Sequence, residues 1–297
     1  SRNQIVSYFL SSNCTHLIFL DSDISGFEYF IKKIVELEKR QELPPLVGGI
    51  YPIKEYNWKS IEDIQQITIK NKKLTEEQQK LYAMEFNINL EKKNINEILE
   101  FSGKFHGLYP VKHIPGGCMC ISRSVFQKMM SSFPNRKYQQ GANEAVVKLE
   151  HSSGEFLYNF FDSFIHDYGN NVQYLSEDYG FCELWSRLGG VIYADMETVL
   201  GHFDGGLEYR GSYLQKLKLK VAVFMEVNAR KDSAQKQQAQ QLAQQQAQLA
   251  QQQQAQQQRM LQSLGISNAK ISTHPPLPPN QQIPSLKLPQ IPEKEVI

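Results

Sequence analysis

Two aspartates directly follow an apolar run near the start of the chain. Asp21 and Asp23 come after residues 17–20, a short continuous apolar run that is typical of a strand buried on both faces. Side chains two residues apart in an extended chain point the same way, so both carboxylates are expected to face one site. Two oxygen ligands beyond the end of a strand suit Mg²⁺ or Mn²⁺, with a phosphate completing the shell. A strand followed by a polar turn is the alternative.

Three further features have residue types that suit the same chemistry. Gly116 and Gly117 form a turn before an apolar run, and glycines there let backbone amides approach a sugar or phosphate. Glu177 and Asp178 stand at the start of a predicted helix, where a carboxylate can deprotonate a hydroxyl group. His202 is a candidate metal ligand, because Mn²⁺ accepts imidazole nitrogen. Each feature also has a purely structural interpretation, as a turn, a capped helix or a packed histidine.

Apolar periodicity predicts the elements that position these residues. The predicted helices are 1–13, 27–41, 60–66, 75–86, 122–130, 176–188 and 214–230, and the predicted strands are 15–20, 46–52, 105–121, 172–175, 191–194 and 198–203. Their initial order of helix, strand, helix and strand favours a parallel α/β sheet. Ser176 is expected to cap its helix, and Thr75 is expected to form a capping box.

Composition limits the class of protein. The 297 residues are 41% hydrophobic and carry a formal net charge of +1, which allows a sizeable core and argues against bulk binding of nucleic acid. The four cysteines match no zinc-binding pattern, and we expect them to be reduced and buried, as in a cytoplasmic protein. No apolar run approaches transmembrane length, and no signal peptide is visible.

The composition also changes along the chain. Residues 1–215 have the composition of a globular domain, within which about 55–101 is polar and is predicted to be a surface insertion. Residues 216–232 are expected to form a helix or linker. The Gln/Ala-rich segment 233–262 is compatible with a long solvated helix, a coiled coil or a disordered, self-associating tract.

A proline-rich tail, 263–297, is expected to be extended and disordered. The Pro-Pro-Leu-Pro-Pro segment at 275–279 has the composition of ligands that dock in the aromatic groove of a protein partner. A plain tail without a partner is the alternative.

The order of the motifs resembles that in the metal-dependent glycosyltransferases of the GT-A fold. The shared core of that family is a D-x-D motif, a glycine-rich loop, an x-E-D motif and a C-terminal histidine, and all four occur here in that order. The fuller strings are similar to those of family-2-like glycosyltransferases of viruses, phages and bacteria, over residues 1 to about 215. Those strings are Arg2-Asn3, 15–24, 47–52, 115–126, 175–185 and 189–195.

This resemblance implies an α/β fold with a Rossmann-like mixed sheet flanked by helices, and Mn²⁺ or Mg²⁺ as cofactor. The reaction it implies moves a sugar from a nucleotide-diphosphate sugar to a hydroxyl group of a glycan or protein glycan. Asp23 would ligate the metal directly, Asp21 would contact the donor ribose or metal-bound water, and His202 would complete the metal shell. A cytoplasmic location is expected, or the host cytoplasm for a viral enzyme.

The resemblance also implies roles on the acceptor side. Gly116 and Gly117 would shape the pocket for donor sugar and acceptor. Asp178 would be the general base of an inverting reaction, with Glu177 supporting the acceptor. Faces for stacking on sugar rings are expected among Tyr51, Trp58, Phe160, Phe161 and Tyr179.

One departure concerns the start of the chain. In this family a strand and loop that hold the nucleotide base precede the position of Ser1. The resemblance therefore predicts an N-terminal truncation and leaves the nucleotide base unassigned.

The sequence is also compatible with different classes of protein. Residues 20–25 fit the D-x-D-x-[T/S] signature of haloacid-dehalogenase-like phosphatases, in which the first aspartate is the nucleophile and the second the acid/base. That class needs a downstream pair of acids four residues apart, whereas Asp178 is followed at that spacing by Cys182. A nucleotidyltransferase on a related fold would share the sheet and the metal chemistry. A third class is a non-catalytic, truncated sugar-binding module.

Overall fold

The structure of the chain is a computed structural model that describes residues 1–62, 68–69, 72–88, 90, 94–139, 157–169 and 171–263. These residues belong to two compact units, Ser1–Ala222 and a second unit that begins at Val223. The helices are α1 (Arg2–Ser11), α2 (Phe27–Lys39), α3 (Lys59–Glu62), α4 (Glu76–Ala83), α5 (Ile95–Lys104), α6 (Arg123–Ser132), α7 (Glu177–Arg187) and α8 (Tyr213–Ser263).

The strands are mostly short. They are β1 (His16–Leu20), β2 (Ile24–Ser25), β3 (Leu46–Gly49), β4 (Pro52–Tyr56), β5 (Thr68–Ile69), β6 (Lys72–Lys73), β7 (Met84–Phe86), β8 (Leu108–Val111), β9 (Cys118–Ser122), β10 (Lys137–Tyr138), β11 (Leu157–Tyr158), β12 (Phe164–Asp167), β13 (Val172–Leu175), β14 (Ile192–Asp195), β15 (Leu200–Asp204) and β16 (Leu207–Gly211).

The central sheet has the strand order β1-β9-β3-β14-β8. Strands β3 and β14 are parallel, whereas β9 pairs antiparallel with both β1 and β3, and β8 pairs antiparallel with β14. Strands β1, β3 and β14 therefore run in one direction and end at one edge. The mixed α/β sheet is confirmed. The parallel sheet indicated by the first four elements is wrong, because β9 comes from much later in the chain and separates β1 from β3.

Strand β1 is the outer strand of this sheet. Phe19 is buried, but Leu20 is 37% exposed, so the expectation of a strand buried on both faces is wrong. Strand β1 pairs with β9 alone, from His16↔Ser122 to Leu20↔Cys118, among the residues that the structure describes. An apolar run alone does not distinguish an edge strand from a central one, because the neighbours of a strand are set by distant parts of the chain.

Helices cover both faces of the central sheet. Alternate residues of β9 belong to different hydrophobic clusters: Met119 and Ile121 pack with α1, α6 and α7, whereas Cys118 and Cys120 pack with α2. The three cysteines of the core, Cys118, Cys120 and Cys182, are buried and free. The expectation of burial is wrong for Cys14, which is exposed.

The segment predicted as a surface insertion also contributes to the core. Met84 of β7 and Ile98 of α5 are buried in the main hydrophobic cluster. The helix predicted at 75–86 ends at Ala83, because residues 84–86 pair with β4 as a strand. Its capping box at Thr75 is confirmed. The helix predicted at 60–66 is formed over Lys59–Glu62, and 63–66 lies outside the described residues.

Helix α8 runs without a break through the predicted boundaries at 215, 232 and 262. Leu214 and Leu217 are buried in the first unit. In the second unit the Gln/Ala-rich segment is helical, which is one of the alternatives that the sequence left open, and Leu242 and Leu249 are more than half exposed. A coiled coil stays a prediction, and the proline-rich residues 264–297 lie outside the described residues. The described helices include none that is long and apolar enough to cross a membrane.

The side chain of Asn3 forms hydrogen bonds between α1 and the segment that precedes β12. Its amide nitrogen donates to Asn159 Oδ1 (2.9 Å) and to the carbonyl of Phe161 (3.1 Å), and its Oδ1 accepts from the Phe161 N–H (2.9 Å). The side chain is buried. These bonds fix the start of α1, and with it the neighbouring Arg2, against the core.

The substitution Asn3→Ala is expected to lower the free energy of unfolding by about 2–4 kcal/mol, because it leaves a buried N–H and a buried C=O without these partners. Urea unfolding followed by circular dichroism measures the change. The control Asn13→Ala removes the same group from an exposed position and should cost less than about 0.5 kcal/mol. A loss of similar size in both variants would contradict this role of Asn3.

Candidate active site

Asp21, Tyr51 and Gly117 meet at the edge where β1 and β3 end and β9 begins. The Asp21 N–H donates to the Gly117 carbonyl (2.9 Å), and the Gly117 N–H donates to the Tyr51 hydroxyl (3.2 Å). A Cβ atom at position 117 would lie 2.5 Å from Tyr51 Oη and 2.9 Å from Asp21 Oδ2. Glycine is therefore required here because two side chains of the protein itself come close to the backbone.

Asp178 reaches the same loop from the first turn of α7. Its Oδ2 accepts from the Gly116 N–H (2.9 Å), and its Oδ1 accepts from the Tyr179 N–H (2.8 Å) and the Ser176 hydroxyl. Ser176 occupies the predicted cap position but makes no capping hydrogen bond with its side chain, because that hydroxyl is bonded to Asp178. A carboxylate offers about four acceptor positions. One position therefore remains for a further hydroxyl group.

Arg2 contacts carboxylates that come from two different parts of the chain. It forms a close ion pair with Glu177, and its Nη2 lies 3.4 Å from Asp21 Oδ1. The guanidinium also covers Gly116, where a Cβ atom would lie 2.7 Å from Nη2. Sequence reasoning included Arg2 only as part of a string and gave it no role. A search for the cation that must balance several clustered carboxylates would have pointed to it.

Asp23 and His202 meet because their strands pair. Strand β2, which follows Asp23, pairs with β15 in the register His202↔Ile24, and the Asp23 carbonyl accepts from the Phe203 N–H (2.9 Å). This brings His202 Nε2 to 3.3 Å from Asp23 Oδ2. Two of the three predicted metal ligands are thus in contact, although they lie 179 positions apart in the sequence.

The second nitrogen of His202 indicates what the first one can bind. Nδ1 lies 2.9 Å from the carbonyl oxygen of Pro52, which only accepts hydrogen bonds, so Nδ1 carries a hydrogen. In the neutral ring Nε2 then presents a lone pair toward a carboxylate oxygen. That arrangement is favourable only if Nε2 is protonated or if both atoms share a cation. In metal-binding histidines, the ring nitrogen that does not bind the metal usually donates its hydrogen to a backbone carbonyl, a carboxylate or water. Nδ1 of His202 makes such a bond to Pro52.

Lys54 is the second cation of the site that the sequence did not reveal. Its Nζ lies 2.8 Å from Asp23 Oδ2. The hydrogen bond from Lys54 holds the pKa of Asp23 below its usual value, although partial burial opposes this effect, and His202 adds to the lowering. The same hydrogen bond raises the pKa of Lys54. Asp23 is therefore ionised at neutral pH and is held toward β4.

Tyr51 contacts both His202 and the glycine loop. Its ring centroid lies 5.1 Å from that of His202, edge to face, while its hydroxyl receives the Gly117 N–H. Burial raises the pKa of this hydroxyl. All seven predicted site residues are thereby linked through direct contacts: Asp21, Asp23, Gly116, Gly117, Glu177, Asp178 and His202. We name these seven residues, together with Arg2, Tyr51 and Lys54, the edge site.

The third predicted metal ligand, Asp21, is paired with Arg2 instead. Within the described ranges, no group of three or more His, Cys, Asp or Glu side chains is arranged to hold a metal ion. The charges nevertheless suit a divalent cation. The edge site formally contains four carboxylates and two cationic side chains, Arg2 and Lys54. The chemistry of Asp23 and His202, carboxylate and imidazole, suits Mn²⁺.

The aromatic residues expected to stack on sugars differ in their exposure. Phe160 and Phe161 are buried in the core, and Tyr51 is buried in the edge site. Tyr179 stacks on His113 at 4.5 Å between centroids. Trp58 is 55% exposed.

A separate cavity of about 410 Å³ lies between α2 and α5. It is lined by residues that include Lys33, Arg40, Ser102 and Lys218, and it contains none of the seven predicted site residues. The assignment of the edge site depends on the contacts described above.

Comparisons with protein-family models, with curated proteins and with solved structures found no match to this chain. The interpretation of the edge site consequently depends on its residues and their geometry.

The pKa of Asp23 provides a test of the geometry. Lys54→Met should raise this pKa toward its ordinary value, because the substitution removes the hydrogen bond that lowers it. Titration of the Asp23 carboxyl carbon by NMR measures the shift. Since the folded-state pKa is depressed, the stability that the pair contributes is present above the unfolded-state pKa and is lost as the pH falls through the folded-state pKa.

A matched control is Lys59→Met, which removes an exposed lysine five residues away and should leave the Asp23 titration unchanged. An Asp23 pKa that is the same in wild type and in Lys54→Met would contradict the contact between these two side chains.

Proposed function

We propose that this chain carries the catalytic domain of a metal-dependent glycosyltransferase with a GT-A-like fold. It would transfer a sugar from a nucleotide-diphosphate sugar to a hydroxyl group of an acceptor. The observation that carries the proposal is the contact of His202 Nε2 with Asp23 Oδ2, within one network with Asp178. This network combines the candidate ligands of a metal with a carboxylate that has one acceptor position left.

On the donor side, Asp23 and His202 would hold the metal ion. When bound, Mn²⁺ or Mg²⁺ neutralises the negative charge that develops on a departing diphosphate. The two protein cations act in the same direction. Arg2 balances Asp21 and Glu177, and Lys54 balances Asp23, so the carboxylates of the site repel the diphosphate less strongly.

On the acceptor side, Asp178 would accept the proton of the attacking hydroxyl group. Its orientation is fixed by the Gly116 N–H on one oxygen and by Ser176 and Tyr179 on the other. The base therefore does not need to reorganise when the acceptor binds. Glu177 forms an ion pair with Arg2, which fits a positioning role for Glu177.

The phosphatase alternative would make Asp21 a nucleophile. It gives no role to the contact between Asp23 and His202 or to the link from Asp178 to the glycine loop. The glycosyltransferase proposal accounts for each of these contacts with one reaction.

The proposal is tested by release of nucleoside diphosphate from UDP-, GDP- and dTDP-sugars in the presence of Mn²⁺. The chain should release it from at least one donor, and Asp23→Asn should abolish the Mn²⁺-dependent part. Asp178→Asn should lower kcat by about 10²–10⁴-fold with little change in donor binding, because it removes the base but not the donor contacts.

The control is Glu55→Gln, which removes an exposed carboxylate next to Lys54 on the same strand and should leave the rate unchanged. Equal Mn²⁺-stimulated release by wild type and Asp23→Asn would overturn the metal assignment. No release from any of these donors by the folded protein would contradict the proposed function.

A further inference from the structure

Three aromatic rings form a continuous row beside the edge site. The ring centroids of Trp58 and Tyr56 are 5.0 Å apart with a 40° angle between the planes, and those of Tyr56 and Tyr209 are 4.9 Å apart with a 35° angle. We call these three residues the aromatic row. They come from β4, from the residues that follow it and from β16, so the row depends on tertiary packing.

The aromatic row begins at the candidate metal ligand. In the pairing of β15 with β16, Tyr209 is the direct partner of His202, so their side chains lie on the same face of that sheet. On β4, Tyr56 is two residues from Lys54, which contacts Asp23, and the carbonyl of Pro52 on the same strand receives His202 Nδ1. The row therefore leads outward from the place where the reaction would occur.

The polar ends of the aromatic row are available. Within the part of the chain that the structure describes, the hydroxyls of Tyr56 and Tyr209 and the indole N–H of Trp58 make no hydrogen bond to the protein. Trp58 is 55% exposed, whereas the second tryptophan, Trp185, is buried and donates its N–H to the Val191 carbonyl. Large apolar faces with polar edges that reach water are the features that bind sugar rings, which have C–H faces and hydroxyl rims.

We propose that the aromatic row binds the acceptor, and that the acceptor is an oligosaccharide. This inference depends on the proposed function, because it names the substrate class of the same site. Successive rings tilt by 40° and 35°, so the row presents a stepped surface for consecutive sugar units instead of one slot between parallel planes. A nucleotide base, which is a single flat ring system, would use only one step of that surface.

Trp58 is a built-in reporter for the test. The full chain is titrated with maltohexaose, cellohexaose, chitohexaose and mannohexaose up to about 10 mM, without metal or nucleotide, and tryptophan fluorescence is recorded. At least one sugar should give a saturable change that disappears in Trp58→Phe. By calorimetry, Tyr56→Ala and Tyr209→Ala should each weaken binding of that sugar about tenfold.

Three further variants keep the test decisive. Leu207→Ala truncates an exposed apolar side chain on the same strand as Tyr209 and should leave the affinity unchanged. Tyr56→Phe and Tyr209→Phe keep the rings and remove only the hydroxyls, so they report on binding if the alanine variants do not fold, and each should weaken it about threefold.

The proposal is overturned if no oligosaccharide changes the fluorescence, or if Tyr209→Ala and wild type bind the sugar equally. It is also overturned if UDP alone gives the Trp58 response and displaces the sugar, since the row would then bind the nucleotide base.

Asp23→Asn should keep sugar binding while it loses donor turnover. Sugar binding without any turnover in wild type would refute the proposed function alone, and turnover without sugar binding would refute the aromatic row alone.

Discussion

Strand β9 lies between β1 and β3, antiparallel to both, and the geometry of the edge site depends on that position. The register Leu20↔Cys118 puts the residue before β9, Gly117, beside Asp21. Because β1 and β3 run in the same direction, Tyr51 reaches the same point and contacts the Gly117 N–H. The glycine loop is thus held between two strand ends, and a side chain at position 117 would disrupt both. The constraint is steric and belongs to the sheet itself.

A second, smaller sheet brings the charged groups to that edge. Strand β15 pairs with β2, and this pairing sets His202 against Asp23. Four carboxylates would repel one another if they were alone. Arg2 and Lys54 offset part of that repulsion, and a divalent ion would offset the rest. The pKa of Asp23 is lowered for the same electrostatic reason, and the hydrogen bond from Lys54 is the largest cause. Sheet pairing therefore sets the electrostatics of the site.

Local sequence patterns predicted what depends on local structure. Three features could be predicted from the sequence because each involves residues within a few turns. They are the amphipathic pattern of α2, the start of α7 and the capping box of Thr75. The order of motifs also named the residues that the structure brings together at the edge site. The partners that depend on distant contacts could not be predicted from the sequence. The edge position of β1, the bond from the Gly116 N–H to Asp178 and the roles of Arg2 and Lys54 follow from contacts between distant parts of the chain, which apolar periodicity does not encode.

The central claim is that Asp23 and His202 hold one metal ion, and pulsed electron paramagnetic resonance of the Mn²⁺-loaded chain tests it most directly. An imidazole nitrogen bound to Mn²⁺ modulates the spin echo. We expect this modulation in wild type, its loss in His202→Gln and its persistence in His106→Gln, which changes a histidine outside the edge site. We also expect weaker Mn²⁺ binding by Asp23→Asn. Mn²⁺ bound without nitrogen modulation, or with the same modulation in His202→Gln, would contradict the claim.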